Sequence, residues 1–239
     1  MSVSERKVAL VTGASGGLGG ALCRQFAQDG WQVVAGARSG QVSVSHEFIL
    51  PAPLDVTDSA QVASTVEDTL ARFGRVDLLV NNAGLTADAP CAQMSEEDWD
   101  RVLDVNLRGA FLCAQAVARP MIRQRDGHII NISSFGARSG PRGQGNYAAA
   151  KSGLIGLTHS LAKELGSRNV RVNVIFPGVL PTNMTAGMSV ERLGAFAAAN
   201  ALGRINSLDE VARCIAFLAT TQNISGQVFP LDSRIAPWT

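Results

Sequence analysis

The chain reads as an α/β protein: one domain over residues 1–239 with a doubly wound parallel sheet of about seven strands flanked by helices. Three observations predict it. Short apolar runs rich in β-branched residues alternate with longer helical patterns, as right-handed strand–helix–strand units do. The first run ends in a glycine cluster that opens into a helix. A chain of 239 residues, 46% apolar and 17% charged, is also long enough to bury one full core.

Lys7-Val8-Ala9-Leu10-Val11 has the character of a buried parallel strand, expected over Lys7–Thr12. Thr12-Gly13-Ala14-Ser15-Gly16-Gly17-Leu18-Gly19 follows, then a helical stretch through Ala27 that Gly30 is suited to end. The second strand is Gln32–Ala37. From Arg38 to Leu54 the segment is too short and too β-branched for a confident crossover helix, so a shortened or absent helix is expected, with a brief strand at Glu47–Leu50. Leu78–Asn81 is the next strand, and Ser95 ahead of Glu96, Glu97 and Asp98 opens a helix well, because a hydroxyl cap and an acidic first turn suit unpaired N–H groups. Further strands are expected at His128–Ser133, Arg171–Phe176 and Gln227–Pro230, with long helices around Leu107–Arg123 and Tyr147–Leu165. Between Pro181 and Arg204, Met184, Met188, Leu193, Phe196 and a run of alanines suggest an apolar lid, helical in its second half; a surface helix pair packed on the core is the plainer use, and the two do not exclude one another.

Two clusters carry chemistry. A strand, a glycine turn and a helix N-terminus make an anion site: absent side chains let the backbone approach a pyrophosphate, which meets unpaired N–H groups and the positive end of the helix dipole. The other is built on the only tyrosine of the chain, Tyr147, four residues before Lys151 and thirteen after Ser134. Positions four apart share a helix face, so the Lys151 ammonium is expected near the phenol, favouring its ionised form and lowering its pKa.

These clusters, with Asn81-Asn82-Ala83-Gly84 and Asn106 between them, resemble the short-chain dehydrogenase/reductase family over essentially the whole chain. Its Thr-Gly-x-x-x-Gly-x-Gly pattern is met by Thr12 to Gly19, its Asn-Asn-Ala-Gly by Asn81 to Gly84, and its Ser…Tyr-x-x-x-Lys by Ser134, Tyr147 and Lys151. Pro177-Gly178 and Thr182 resemble its Pro-Gly-x-x-x-Thr segment beside the nicotinamide. The resemblance implies a Rossmann fold and a reductase in which Tyr147 protonates a carbonyl oxygen, Ser134 holds that oxygen, Lys151 binds the ribose and lowers the phenol's pKa, and Asn106 holds a water that feeds protons toward Lys151. It further implies cofactor contacts at Gly13, Ser15, Gly16, Leu18, Gly19, Asp55, Val56, Asn82, Ala83, Gly84, Tyr147, Lys151, Pro177, Gly178, Leu180 and Thr182. Ser133 is a register step away from Ser134, and Asp55 has a competing use as a cap for the helix that begins near Thr57.

Cofactor choice turns on the end of the second strand, where an acidic residue would suit NAD; this chain has Ala37 and then Arg38-Ser39. An arginine fork and a hydroxyl suit the 2′-phosphate of NADP, although Gly16 stands where many NADP-dependent relatives carry a second basic residue. Within the family the pattern is nearest the β-ketoacyl thioester reductases, which implies a carrier-protein or coenzyme A thioester as substrate; a free ketone or alcohol, and a cofactor-binding regulator without catalysis, are the alternatives. Arg125 and Arg168 fall where basic residues would dock an acidic acyl carrier protein, or are surface charges at helix ends. Relatives of that subgroup commonly end with a Gly-Gly pair after the last strand, whereas this chain runs Leu231-Asp232-Ser233-Arg234 onward to Trp238, so Arg234 and Trp238 are candidates for shaping an interface or an acyl pocket. A homotetramer or homodimer built on the two long helices is implied.

A net charge of +1 gives no basic face, which argues against nucleic acid. No apolar run is long enough for a bilayer and no signal peptide is visible, so a cytoplasmic protein without a membrane partner is expected. Cys23, Cys91, Cys113 and Cys214 lack pairing motifs and read as small, mostly buried apolar residues, and His46, His128 and His159 lack ligand spacing, so no metal is expected.

Overall fold

The computed structural model describes residues 6–235. Seven parallel strands form one sheet in the order β3-β2-β1-β4-β5-β6-β7: β1 (Val8–Thr12), β2 (Gln32–Ala37), β3 (Ile49–Pro53), β4 (Leu78–Asn81), β5 (Gly127–Ile132), β6 (Val170–Phe176) and β7 (Val228–Pro230). Strands β1, β2, β4, β5 and β6 are buried along their whole length, which is why their sequences are nearly continuous apolar runs rather than alternating ones. Helices cover both faces. Helix α1 (Gly17–Gln28) and helix α8 (Leu208–Thr220) close one side, where Leu22, Phe26 and Ile215 pack under Val11 and Val33. Helices α2 (Ser59–Phe73), α4 (Gly109–Gln124) and α6 (Gly145–Leu165) close the other, where Val66, Val117 and Met121 meet Leu10, Leu79 and Ile129.

Local chemistry places the helix ends. Asp58 accepts the N–H groups of Ala60 and Gln61 to start α2, and Gly74, at φ +75°, ends it in the left-handed conformation glycine adopts freely. Ser95 accepts the Asp98 N–H at 3.1 Å and opens α3 (Glu96–Leu103), as the acidic first turn suggests. A π turn over Asp104–Arg108 then joins α3 to α4, placing an extra residue in the helical path at Asn106.

Between β2 and β3 there is no helix, as the residue types there predict. Val42, Val44 and Phe48 of this loop lie against the α1 side of the core, so irregular chain covers surface that a crossover helix would otherwise cover. Strand β3 itself is displaced: expected at Glu47–Leu50, it runs Ile49–Pro53. Pro51 and Pro53 disguised it, yet β3 is an edge strand pairing only with β2, and there a missing N–H is tolerated. The cysteines divide: Cys23 and Cys113 are buried, with burial pushing each thiol up to about 12, whereas Cys91 and Cys214 are exposed, contrary to expectation. The later helices are the short α5 (Gly136–Ser139) and α7 (Val190–Ala198), and α7 forms the second half of the suggested lid. None of its residues is buried and Leu193 and Phe196 are partly covered, so it is a surface helix, as both suggested uses require. Among the described residues no helix is long and apolar enough to cross a membrane.

Candidate active site

All strands run the same way, so the segments that follow β1, β4, β5 and β6 emerge at one edge of the sheet, bringing Gly13, Asn82, Ser134 and Pro177 together. The winding reverses between β1 and β4, which is where doubly wound sheets open a crevice.

The glycine turn is a close-packed cradle. Gly13 has φ +65°, and a Cβ there would stand 2.8 Å from the Ala83 Cα; one at Gly19 would strike the Gly13 carbonyl and stand 2.8 Å from the Ala14 Cα. Thr12 and Asn82 hold it from beneath: the Thr12 Oγ1 accepts the N–H groups of Asn82 and Ala83 at 3.0 Å each, and the Asn82 Nδ2 donates to the carbonyls of Thr12 and Gly13. Asn82, expected as a cofactor contact, thus has its amide spent on bracing the turn. Ser15 and Gly16 are exposed at the mouth, while Leu18 is buried in the core. Helix α1 begins without a side-chain cap and without an acidic residue in its first turn, which leaves its donor end suited to an anion. From across the crevice the Thr182 Cγ2 comes within 3.1 Å of where a Cβ on Gly17 would sit, so the segment after β6 crosses the turn; Leu180, just before it, is buried.

Arg38 and Ser39 are exposed just beyond β2, beside the turn, because the Ala14 N–H donates to the Gly36 carbonyl at 2.9 Å. Among the described residues Arg38 makes no ion pair. Asp55 is engaged locally: its Oδ1 accepts from the Thr57 N–H at 2.9 Å and the Thr57 hydroxyl at 2.7 Å. The cap of α2 is Asp58, and Val56 is buried against Gly109 of α4.

The reacting group comes from β5 and α6. Two adjacent serines follow β5, and the structure separates their duties. The Ser133 hydroxyl is buried and donates to the Lys151 carbonyl at 2.7 Å, whereas the Ser134 Oγ accepts the Gly136 N–H at 3.1 Å and lies beside Tyr147: a Cβ on Gly136 would stand 3.4 Å from that oxygen and 3.6 Å from the Tyr147 Cε1. Tyr147 is half-buried and its backbone N–H donates to the Asn146 Oδ1 at 2.8 Å. The Asn146 amide in turn donates to the carbonyls of Ala87 and Asp98, so this fully buried residue pins the start of α6 to the chain after β4. Sequence reasoning missed Asn146; the signal was an amide beside the tyrosine on an otherwise apolar helix.

Lys151 lies one turn further along, fully enclosed, donating to the Ile132 carbonyl at 2.9 Å with its Nζ 5.7 Å from the centre of the Tyr147 ring. Burial lowers its pKa to about 8, so it stays a cation at neutral pH. The phenol departs from expectation. Burial holds it above the ordinary tyrosine value and Asp88 pushes the same way, against the Ser134 hydrogen bond that pulls it down. The expected lowering by Lys151 is not what opposes the burial: the downward pull comes from the Ser134 hydroxyl. Gly84 is hemmed in by both partners: a Cβ there would stand 2.5 Å from the Asn106 Oδ1 and 3.4 Å from the Lys151 Nζ. The Asn106 amide is wholly committed to backbone, donating to the Leu85 and Val102 carbonyls at 2.9 Å and accepting the Leu85 N–H at 3.2 Å. Its side chain therefore stitches the segment after β4 to the π turn.

Arg125 and Arg168 are not part of this edge. They precede β5 and β6, at the end of the sheet opposite Ser134 and Pro177, and the Arg125 carbonyl accepts the Asn169 amide at 3.0 Å. Arg234 does reach the site, its guanidinium 4.0 Å above the ring of Phe135, next to Ser134. Trp238 lies outside the described residues.

Comparison with known proteins agrees with this geometry. The short chain dehydrogenase family model matches residues 7–192. A 3-oxoacyl-[acyl-carrier-protein] reductase FabG of Thermotoga maritima is 43% identical over 97% of this chain and 98% of its own, and the FabG of Escherichia coli K12 is 41% identical over 91% of each. A solved structure described as ElxO with NADP bound superposes with a TM-score of 0.88 at 26% identity, covering 95% of this chain and 98% of its own.

Proposed function

The chain belongs to the short chain dehydrogenase family, and on that premise we propose that it uses NADPH to reduce the keto group of a 3-oxoacyl thioester to the 3-hydroxy product. One observation carries the reading: Ser134, Tyr147 and Lys151 converge at the same sheet edge as a glycine cradle too tight for any side chain. The names of the relatives supply the substrate class and the bound nucleotide of the structural neighbour supplies the cofactor.

The residues present fit NADP. The turn around Gly13, Ser15, Gly16 and Gly19 would hold the pyrophosphate at the open start of α1, Arg38 and Ser39 the 2′-phosphate, and Ala83, Gly84, Lys151 and the Pro177–Thr182 segment the nicotinamide half. When bound, NADPH supplies the hydride. Tyr147 gives its proton to the carbonyl oxygen as negative charge builds there, and Ser134 orients that oxygen. A phenol held above its ordinary value keeps its proton until the oxygen becomes basic, so it is loaded as an acid, which is the direction reduction needs. Asn106 acts from behind, holding Leu85 so that the Ala83–Gly84 backbone meets Lys151.

Assembly as a cytoplasmic homotetramer through α4 and α6 belongs to the same reading. A groove between them, lined by Leu103, Leu107, Phe111 and Leu157, supports it. A carrier protein resting on Arg125 and Arg168 would reach a cleft across such a neighbour, because those residues and Ser134 of one chain lie at opposite ends of the sheet. NADPH oxidation tests the reading with acetoacetyl-CoA, a carrier-protein thioester and a panel of free ketones side by side. Turnover highest with a thioester is expected, and a clear preference for the free ketones would overturn the substrate class.

A further inference from the structure

After β7 the chain carries Asp232 and Arg234, and the Arg234 guanidinium reaches the residue beside Ser134. Leu231 is fastened on both sides: its N–H donates to the Phe176 carbonyl at 2.9 Å, and the Asn206 Nδ2 donates to the carbonyls of Leu231 at 2.8 Å and Pro177 at 3.0 Å. Asp232 follows, packed so closely on Gly178 that a Cβ there would stand 2.8 Å from the Asp232 Cβ. Gly178 has φ +78° and no room for a side chain, so Asp232 and the Pro177–Gly178 turn move as one. The Asp232 Oδ1 accepts the Arg234 N–H at 3.2 Å, and the Arg234 Nη2 lies 3.5 Å from the Asp232 Oδ2. Beyond that pair the guanidinium covers Phe135, the residue after Ser134, whose carbonyl accepts the N–H groups of Arg138 and Ser139.

The pair is well buried, with side chains 12% and 6% exposed for Arg234 and Asp232, yet among the described residues the Arg234 Nε and the Asp232 Oδ2 have no hydrogen-bond partner. A pair serving stability alone would close into a two-point bridge, as Arg75 and Asp77 do elsewhere in this chain. Here the guanidinium stands 3.5 Å from its carboxylate, with its central carbon 4.0 Å from the centre of an aromatic ring, a contact that attracts the cation to the ring face. Buried groups left short of partners are what functional sites tolerate and structural ones avoid.

We infer that Asp232 and Arg234 form a clasp that joins the cofactor-side turn at Gly178 to the Ser134–Phe135 turn, making Arg234 a positioning residue for the proton-transfer step. The inference rests on the proposed role of Ser134 and Tyr147. Its mechanism is mechanical: Phe135, held under the guanidinium, sets the backbone from which the Ser134 hydroxyl reaches Tyr147. The other charged groups facing the phenol are Lys151 and Asp88, and neither touches the clasp.

Because the chain has a single tyrosine, its ionisation can be followed by tyrosinate absorbance in the intact protein, without turnover. The test compares wild type with Arg234→Met, Arg234→Lys and Phe135→Leu by this titration, by kcat and KM for ketone reduction, by NADPH affinity and by thermal midpoint. With Arg234→Met the expected result is a tyrosine titration moved to higher pH, as the Ser134 hydrogen bond loosens, with kcat down about tenfold and KM, NADPH affinity and midpoint near wild type. Phe135→Leu should behave the same way and Arg234→Lys should recover part of the loss. An unmoved titration in Arg234→Met overturns the clasp, as does a fall in midpoint and kcat together that lysine does not restore. A wild type that titrates as expected but reduces no thioester removes the substrate reading and leaves the clasp standing.

Discussion

The two ends of the parallel sheet are built from the same residue types and treat them in opposite ways. At the end where the strands begin, Asp77 and Arg171, both buried, are saturated. The Asp77 carboxylate accepts both Nε and Nη2 of Arg75 and the Val8 N–H at 2.8 Å, while Arg171 donates to Asp126, Gln222 and the carbonyls of Gly127 and Thr221. At the end where the strands finish, among the described residues, Lys151 is enclosed with one carbonyl acceptor, Arg38 stands without an ion pair, and Arg234 leaves a buried N–H unmet. The contrast teaches where fold stability and reactivity are stored. Saturated charges lock strand ends in register; underserved ones keep donors and a proton available for a ligand.

The largest expected effect comes from Tyr147→Phe. Loss of the phenol should lower kcat by about 10²- to 10⁴-fold, with NADPH binding and thermal midpoint held, as measured by NADPH oxidation, equilibrium binding and thermal unfolding. Unaltered turnover would mean that the finishing end is not where the acid resides. Asp77→Ala should do the reverse. It leaves Arg75 half-buried without its partner and the Val8 N–H unmet, so about 1–3 kcal/mol of stability should be lost in denaturant unfolding while kcat of the folded fraction stays as it was. Substantial loss of kcat in that variant would break the division between the two ends.

Lys151→Met sharpens the comparison with a shift of mixed sign. The folded-state pKa of about 8 lies below the ordinary 10.5, so between those values the unfolded chain binds the extra proton and native stability rises with pH. Below about pH 8 the wild type carries the whole cost of a buried ammonium. The methionine variant should therefore be inactive yet more stable by about 2 kcal/mol at neutral pH, after allowance for the lost hydrogen bond to Ile132, with the gap closing toward pH 10.5. Equal stabilities at neutral pH would show that Lys151 is as well served as Arg171.

Most of the fold was legible because buried parallel strands announce themselves as β-branched runs, and because the glycine turn, Ser95 and the Arg38–Leu54 gap each carry a local steric or capping reason. Strand β3 hid behind its prolines, which are read as breakers until the strand is known to be an edge. At the site, residue types named the reacting group but not its supports. Asn82, Asn106 and Asn146 each spend their amides on backbone far away in sequence, a choice that becomes visible only when the strands are in place. The direction of the Tyr147 shift was likewise beyond a sequence argument, since spacing reveals a neighbouring charge but not how much water has been removed. The end of the sheet at which Arg125 and Arg168 stand was also not legible, because it depends on strand direction rather than chain order.

The prolines of β3 have one more effect. The Leu54 N–H points inward to the Ala37 carbonyl at 2.9 Å, so by the two-residue period of a strand the N–H groups of residues 49, 51 and 53 point outward. Ile49 turns its own back to the His46 carbonyl, and the other two positions are Pro51 and Pro53. The outer margin of β3 consequently offers an approaching strand no donor at all, and half a ladder cannot zip. A sheet this apolar is thereby protected against growing sideways into aggregates, without a charge or a covering helix on that flank.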